Sequence, residues 1–91
     1  MLGRLFRPDP ERQAAATRIK DWVRLALSLP EEATISVNEI ECGDPACPGG
    51  VETVVLVRGR ASVLKAVKLP GPMTDLAEAA VREAVAAPPA Q

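Results

Sequence analysis

Several residue types that commonly carry chemistry are scarce in this sequence. It contains no histidine and no tyrosine, one phenylalanine and one tryptophan. Without histidine the chain cannot form a Ser–His–Asp triad, a Cys–His dyad or a zinc site with mixed cysteine and histidine ligands. The scarcity of aromatic side chains argues against a surface that stacks the bases of single-stranded nucleic acid. Catalytic sets that need histidine are therefore excluded at the outset.

Long apolar segments are also missing. No unbroken apolar run exceeds four residues, whereas a membrane-spanning helix needs roughly 18–20 apolar residues. The opening segment, MLGRLFRPDP, lacks the apolar stretch of a secretory signal. We therefore expect a cytoplasmic protein without a membrane span, in which the two cysteines are thiols rather than a disulfide framework.

The remaining composition is typical of one small globular domain. Hydrophobic residues make up 47% of the 91 residues, charged residues make up 25%, and the formal net charge is −1. This composition is too apolar for intrinsic disorder. We expect a flexible N-terminal arm over residues 1–9, a single domain over 10–86 and a disordered tail over 87–91.

Two segments have the spacing of amphipathic helices. A helix is predicted over about 10–28, because apolar residues recur there every three or four positions after Asp9, a suitable N-cap residue. A second helix is predicted from 74 or 75 to 86, where Asp75 and Glu78 resemble a capping box. Both helices have one apolar stripe, so each is expected to pack against another layer.

Three strands are predicted between the helices. Thr34–Glu41 alternates apolar and polar residues, with a shift in the alternation that suggests a bulge near Glu39. The segment 51–57 is apolar at both parities, so it is either covered on both faces or central in the sheet. A third strand is predicted over 61–69. Short connections favour a three-stranded antiparallel meander. The order α-β-β-β-α predicts a two-layer α+β domain, in which an N-terminal and a C-terminal helix flank the meander in the sequence and cover one face of the sheet.

Charge is distributed unevenly along the chain. Residues 29–53 carry six acidic residues and no basic residue, and this block includes both cysteines. The acids are either ordinary solvent-facing charge or a surface that attracts a cation or a basic partner. The following segment, 54–68, is basic through Arg58, Arg60, Lys65 and Lys68. Four bases without aromatic residues, in a chain of pI about 5.4, argue against nucleic-acid binding.

The two cysteines are the one group of residues in the sequence that indicates a specific chemical role. Cys42 and Cys47 are separated by four residues in a loop, 42–50, that is rich in glycine and proline. Three interpretations remain open. The thiols are buried structural residues, or they bind a soft metal ion, or they form a redox pair. Because the loop is constrained, both sulfurs can be aimed at one point.

Each chemical interpretation has its own requirement. Zinc prefers four ligands, so a zinc site at Cys42 and Cys47 would need Asp44, Glu41 or Glu39 to complete the shell. A second copy of the chain, in a homodimer, would supply two more sulfurs. A disulfide would close a six-residue loop, which is worth about 2 kcal/mol in loop entropy. Acidic surroundings, however, raise the pKa of a thiol and disfavour reactivity.

The same stretch resembles a family of small bacterial proteins of unknown function. Their shared motif reads C-x-[DE]-P-x-C-P, followed closely by E-T and an apolar strand. The matching residues here are Cys42, Asp44, Pro45, Cys47, Pro48, Glu52 and Thr53. The residues at 36–40, Lys68 and Pro72 also fit, so the resemblance covers residues 18–86. Members sometimes carry the label nitrate reductase, which a 91-residue chain without an evident redox-cofactor site does not support.

The sequence departs from that family at two places. Members often have one residue where Gly49 and Gly50 stand, and His-Lys where Pro70 and Gly71 stand. The resemblance implies a specific site around residues 42–53 without implying its chemistry.

We therefore expect a non-enzymatic accessory or binding domain that uses the acidic cysteine loop, with zinc as the candidate ligand and another protein as the partner. The alternatives are a thiol–disulfide redox protein and a protein-interaction module with structural cysteines. The candidate metal ligands are Cys42, Cys47 and Asp44, and the other candidate surface residues are Glu41, Glu52 and Thr53.

Overall fold

The computed structural model of the protein describes residues 9–60 and 62–87. The elements are helix α1 (Pro10–Leu27), strands β1 (Thr34–Glu41), β2 (Val51–Arg58) and β3 (Val63–Pro70), helix α2 (Glu78–Ala86), and 3₁₀ turns at Pro48–Gly50 and Met73–Asp75. The predicted α-β-β-β-α order and α+β class are confirmed. The predicted arm and tail lie outside the described residues, except for Asp9 and Ala87, which cap the two helices.

The three strands form one antiparallel sheet in the order β1-β2-β3, so the predicted meander is confirmed. The pairing of β1 with β2 is continuous from Thr34 opposite Arg58 to Glu41 opposite Val51. The predicted bulge near Glu39 is therefore wrong. The shift in the alternation leaves the Ile40 side chain 41% exposed. The irregular register of the sheet lies instead between β2 and β3, at Val57 and Arg58.

Both helices cover the same face of the sheet. The core contains residues from α1, from all three strands and from α2. Its buried members are Ala15, Ile19, Val23, Ile35, Val55, Val57, Leu69, Met73, Val81 and Val85. The contributions of α1 and α2 are spaced four residues apart, which places them on one stripe of each helix.

The other side of the sheet, here named the open face, has no helix over it in the described chain. It carries the even-numbered residues of β2, including half-buried Val54 and Leu56. These residues explain why β2 is apolar at both parities. The strand is central in the sheet, which is one of the two predicted alternatives, but it is covered on one face only.

The ends of α1 are held by side chains. The Asp9 carboxylate accepts hydrogen bonds from the backbone N–H groups of Glu11 at 3.0 Å and Arg12 at 3.4 Å, as predicted for an N-cap. At the other end the Arg24 guanidinium donates to the carbonyls of Pro30 at 3.0 Å and Ala33 at 3.1 Å. Arg24 therefore fixes the path of the chain from α1 into β1.

The second predicted helix begins later than expected. A 3₁₀ turn occupies Met73–Asp75, and α2 starts only at Glu78. The N-cap is Ala77, which has no side-chain capping bond, so the predicted capping box of Asp75 and Glu78 is wrong. The extended backbone of Leu76 and Ala77 separates the turn from the helix and lets buried Met73 join the core.

In the described part of the chain, neither helix is both long and apolar enough to span a bilayer.

Candidate functional site: a disulfide-closed loop at one end of the sheet

The loop between β1 and β2, residues 42–50, is closed by a disulfide between Cys42 and Cys47. The two Cα atoms lie 6.3 Å apart, and both cysteines are half-buried. Both cysteines of the sequence lie in the described residues and take part in this bond. The expectation of two thiols is therefore wrong for this structure, because the turn brings the two residues within bonding reach. This segment is named the cystine loop below.

Hydrogen bonds hold the cystine loop in addition to the disulfide. The Cys42 N–H donates to the Gly50 carbonyl at 2.9 Å, and the Cys47 N–H donates to the Asp44 carbonyl at 3.0 Å. The Asp44 side chain accepts from the Ala46 N–H at 2.9 Å, which is an Asx-type turn. The backbone is thus restrained, while the side chains of Asp44, Pro45 and Ala46 remain exposed.

Two adjacent glycines end the cystine loop. Gly49 and Gly50 have φ values of 67° and 71°, in the left-handed region that side-chain-bearing residues rarely adopt. A Cβ on Gly49 would also lie 3.6 Å from the Pro72 ring. The left-handed conformation therefore explains why both positions are glycine.

The turn that leaves β3 packs under the cystine loop. Gly71 is buried, has a φ of 102°, and donates its N–H to the Val51 carbonyl at 2.9 Å. Its carbonyl accepts from the Thr53 hydroxyl at 3.0 Å. A Cβ on Gly71 would lie 3.6 Å from Pro48. The cystine loop and this turn therefore approach each other closely at Gly71.

The Thr53→Val substitution is expected to lower the free energy of unfolding by about 1–3 kcal/mol. The side chain keeps its shape, but the buried Gly71 carbonyl loses its donor. Urea denaturation measures the effect. Thr34→Val is the matched control, because Thr34 is exposed and its loss should change stability by no more than about 0.5 kcal/mol. Equal effects of the two substitutions would contradict a structural role for the Thr53 hydroxyl.

Glu39 connects three elements at the same end of the sheet. One carboxylate oxygen accepts from the Met73 N–H at 2.8 Å, and the other lies 3.3 Å from the Arg12 guanidinium. The Glu39 side chain is 13% exposed. Its role was not predicted, although an acid at the core-facing parity of β1, after Ile35 and Val37, is a signal of such a contact. The Glu39 carboxylate is therefore occupied by structural contacts with Arg12 and with the Met73 N–H.

The acids of the cysteine region do not form one cluster. Alternation along β2 places Glu52 on the open face and Thr53 on the helix-covered face, so these two candidate residues point in opposite directions. Glu41 lies at the parity of Glu39, while Asp44 lies on the cystine loop. In residues 9–60 and 62–87 no group of three or more histidine, cysteine or acidic residues is arranged to hold a metal ion.

The acidic block of the sequence is also divided between the two ends of the sheet. Glu31 and Glu32 precede Thr34, which pairs with Arg58 at the end of β2 far from the cystine loop. Because zinc is bound by thiolates and the two sulfurs are bonded to each other, zinc binding by Cys42, Cys47 and Asp44 stays a prediction that concerns the reduced protein.

Comparison of the chain with protein-family models, with curated proteins and with solved structures finds no match. The resemblance to the bacterial family therefore rests on the motif residues alone.

Proposed function

We propose that the protein is a small non-enzymatic binding domain that presents the cystine loop to a partner protein. The proposal is carried by one observation: the loop is restrained by a disulfide and by hydrogen bonds, while the side chains at its tip are exposed. A restrained loop loses less conformational entropy on binding. Exposed loops on a rigid scaffold are also where binding residues are concentrated.

The exposed groups suggest the chemistry of the partner. Glu41 and Asp44 form no salt bridge with any residue of the described chain, and Pro45 and Ala46 lie exposed between the two cysteines. The surface is therefore acidic with small apolar groups. A partner segment that carries lysine or arginine beside a flat apolar side chain is complementary to it.

The polar groups beneath the loop favour binding over catalysis. The Glu39 carboxylate is bonded to Arg12 and to the Met73 N–H, and the Thr53 hydroxyl is bonded to the Gly71 carbonyl. A general acid or base needs to reach a substrate, and these groups are directed into the protein. This supports an accessory role rather than an enzymatic one.

The proposal is tested by affinity capture from lysate of the source cells with three versions of the chain. The Glu41→Gln/Asp44→Asn variant changes the loop charges, and Glu31→Gln/Glu32→Gln is the matched control at the opposite end of the sheet. A partner of the loop is retained by wild type and the control and lost from the loop variant. Binding of the purified partner should weaken by about tenfold or more, which corresponds to 1.4 kcal/mol. Equal binding by all three versions would overturn the proposal.

A second candidate function is thiol–disulfide exchange, and the half-buried disulfide in an exposed loop favours it. Equilibration in a series of glutathione buffers measures the potential of the Cys42–Cys47 pair. A value within the range of cellular thiol pools supports exchange, and a much lower value assigns the disulfide to structure.

Native mass spectrometry of the reduced protein with added zinc tests the metal hypothesis in the same samples.

A further inference from the structure

The open face of the sheet carries a regular pattern along its central strand. Side chains of the same parity on β2 read Glu52, Val54, Leu56 and Arg58, which is an acid, two apolar residues and a base. Val54 and Leu56 are half-buried at the centre, with the neighbouring strands on either side. An apolar centre between two opposite charges is self-complementary, because a second copy that runs in the opposite direction places an acid opposite each base.

The two charges are unsatisfied within the described chain. Glu52 and Arg58 form no salt bridge with any described residue. They lie six residues apart on one extended strand, a separation of roughly 20 Å, so they cannot pair with each other inside one molecule. A second molecule can therefore supply a charged partner to each of them.

We propose that the open face is a dimer interface that pairs with the same face of a second copy. The two-fold axis lies in the plane between the two sheets. It runs perpendicular to the strands, at the level of Val55 of each copy. This rotation places Glu52 opposite the partner's Arg58 and Val54 opposite the partner's Leu56. The two sheets then pack face to face at roughly 10 Å, as in a β-sandwich.

Strand β1 agrees with this orientation. On β1, Ser36 pairs with Leu56 and Asn38 pairs with Val54. The rotation therefore places Ser36 opposite the partner's Asn38. These polar groups can donate and accept hydrogen bonds. A two-fold axis parallel to the strands would instead set Glu52 against the same residue of the partner, and like charges in contact are destabilising.

The size of the face sets the strength of the dimer. Three strands of eight residues present roughly 15 by 26 Å, or about 400 Å² in projection for each copy. A standard interface buries about 800 Å² of accessible surface on each partner, so a face of this size forms a small interface. The dimer therefore dissociates on dilution, and its fraction rises with protein concentration.

The decisive experiment is sedimentation equilibrium over a concentration series with charge-reversal variants. Glu52→Arg and Arg58→Glu each place like charges at both contacts, and each should raise the dimer dissociation constant by about tenfold or more, which corresponds to 1.4 kcal/mol. An equal mixture of the two variants restores complementary charges and forms a heterodimer. The double variant E52R/R58E restores the homodimer, because both ends are exchanged together.

Matched controls separate this interface from other causes of the same result. Arg18→Glu reverses an exposed charge on α1 and should leave the dissociation constant unchanged. Leu56→Asp should abolish the dimer, whereas Leu25→Asp, at an exposed leucine of α1, should not. Far-UV circular dichroism confirms that each variant is folded. A monomer at all concentrations, or a dimer that resists Leu56→Asp, would overturn the proposal.

The dimer goes beyond the proposed function and is tested independently of it. Arg58 and Leu56 lie on β2 outside the cystine loop. Loss of the dimer in Arg58→Glu with partner capture retained would separate the two surfaces.

Discussion

Reduction of the Cys42–Cys47 disulfide is expected to lower the free energy of unfolding by about 2 kcal/mol. The bond closes a six-residue loop, and opening it returns conformational freedom to the unfolded chain. For a domain of this size the loss corresponds to a fall in Tm of roughly 8–16 °C. Thermal unfolding with and without a phosphine reductant measures it, with a thiol assay to confirm that both cysteines are reduced.

The Cys42→Ser/Cys47→Ser variant is the control for that experiment. Its Tm should resemble that of the reduced protein and should not respond to the reductant. The sheet should persist in both, because the pairing of β1 with β2 and the Cys42 N–H to Gly50 bond do not require the disulfide. An unchanged Tm after complete reduction would show that the disulfide contributes nothing to stability.

The Ile19→Ala substitution is expected to have the largest effect on stability, about 2–5 kcal/mol. Ile19 is 1% exposed and lies at the centre of the α1 stripe that packs on the sheet. Truncation removes buried apolar surface and leaves a cavity that the neighbours fill only in part. Because small domains have a total stability of about 5–15 kcal/mol, this variant is expected to be close to unfolding at physiological temperature.

Urea denaturation of a graded series checks this value. Ile19→Val should cost only about 0.5–1.5 kcal/mol, because a single methylene group is lost. Leu25→Ala on the same helix is the matched control. Leu25 is 74% exposed, and its truncation should change stability by no more than about 0.5 kcal/mol. Equal effects at the two positions would contradict the orientation of α1.

The order of the elements and the core-facing stripes were predictable from the sequence. Alternation in Thr34–Glu41 and the four-residue spacing of Ala15, Ile19 and Val23 are local patterns, and each reflects the geometry of one element. The start of α2 was not predictable in the same way. The extended backbone at Leu76 depends on Met73 entering a core that distant segments complete.

The candidate site was located by the sequence but not described by it. Scarcity of histidine and concentration of cysteine, glycine and proline indicated the cystine loop. The family resemblance indicated the same segment and stays a prediction. The disulfide, the contact of Glu39 with Arg12, and the packing of the loop on Gly71 depend on residues brought together by the sheet.

The sequence by itself determined a small α+β domain with one chemically distinctive loop, because periodicity and composition are local properties. Only the tertiary structure decided how the charges are arranged. Strand alternation and the antiparallel turn divide one acidic block between two ends and two faces of the sheet. The same alternation sets Glu52 and Arg58 at opposite ends of the open face, because side chains on a strand share a face only at every second residue.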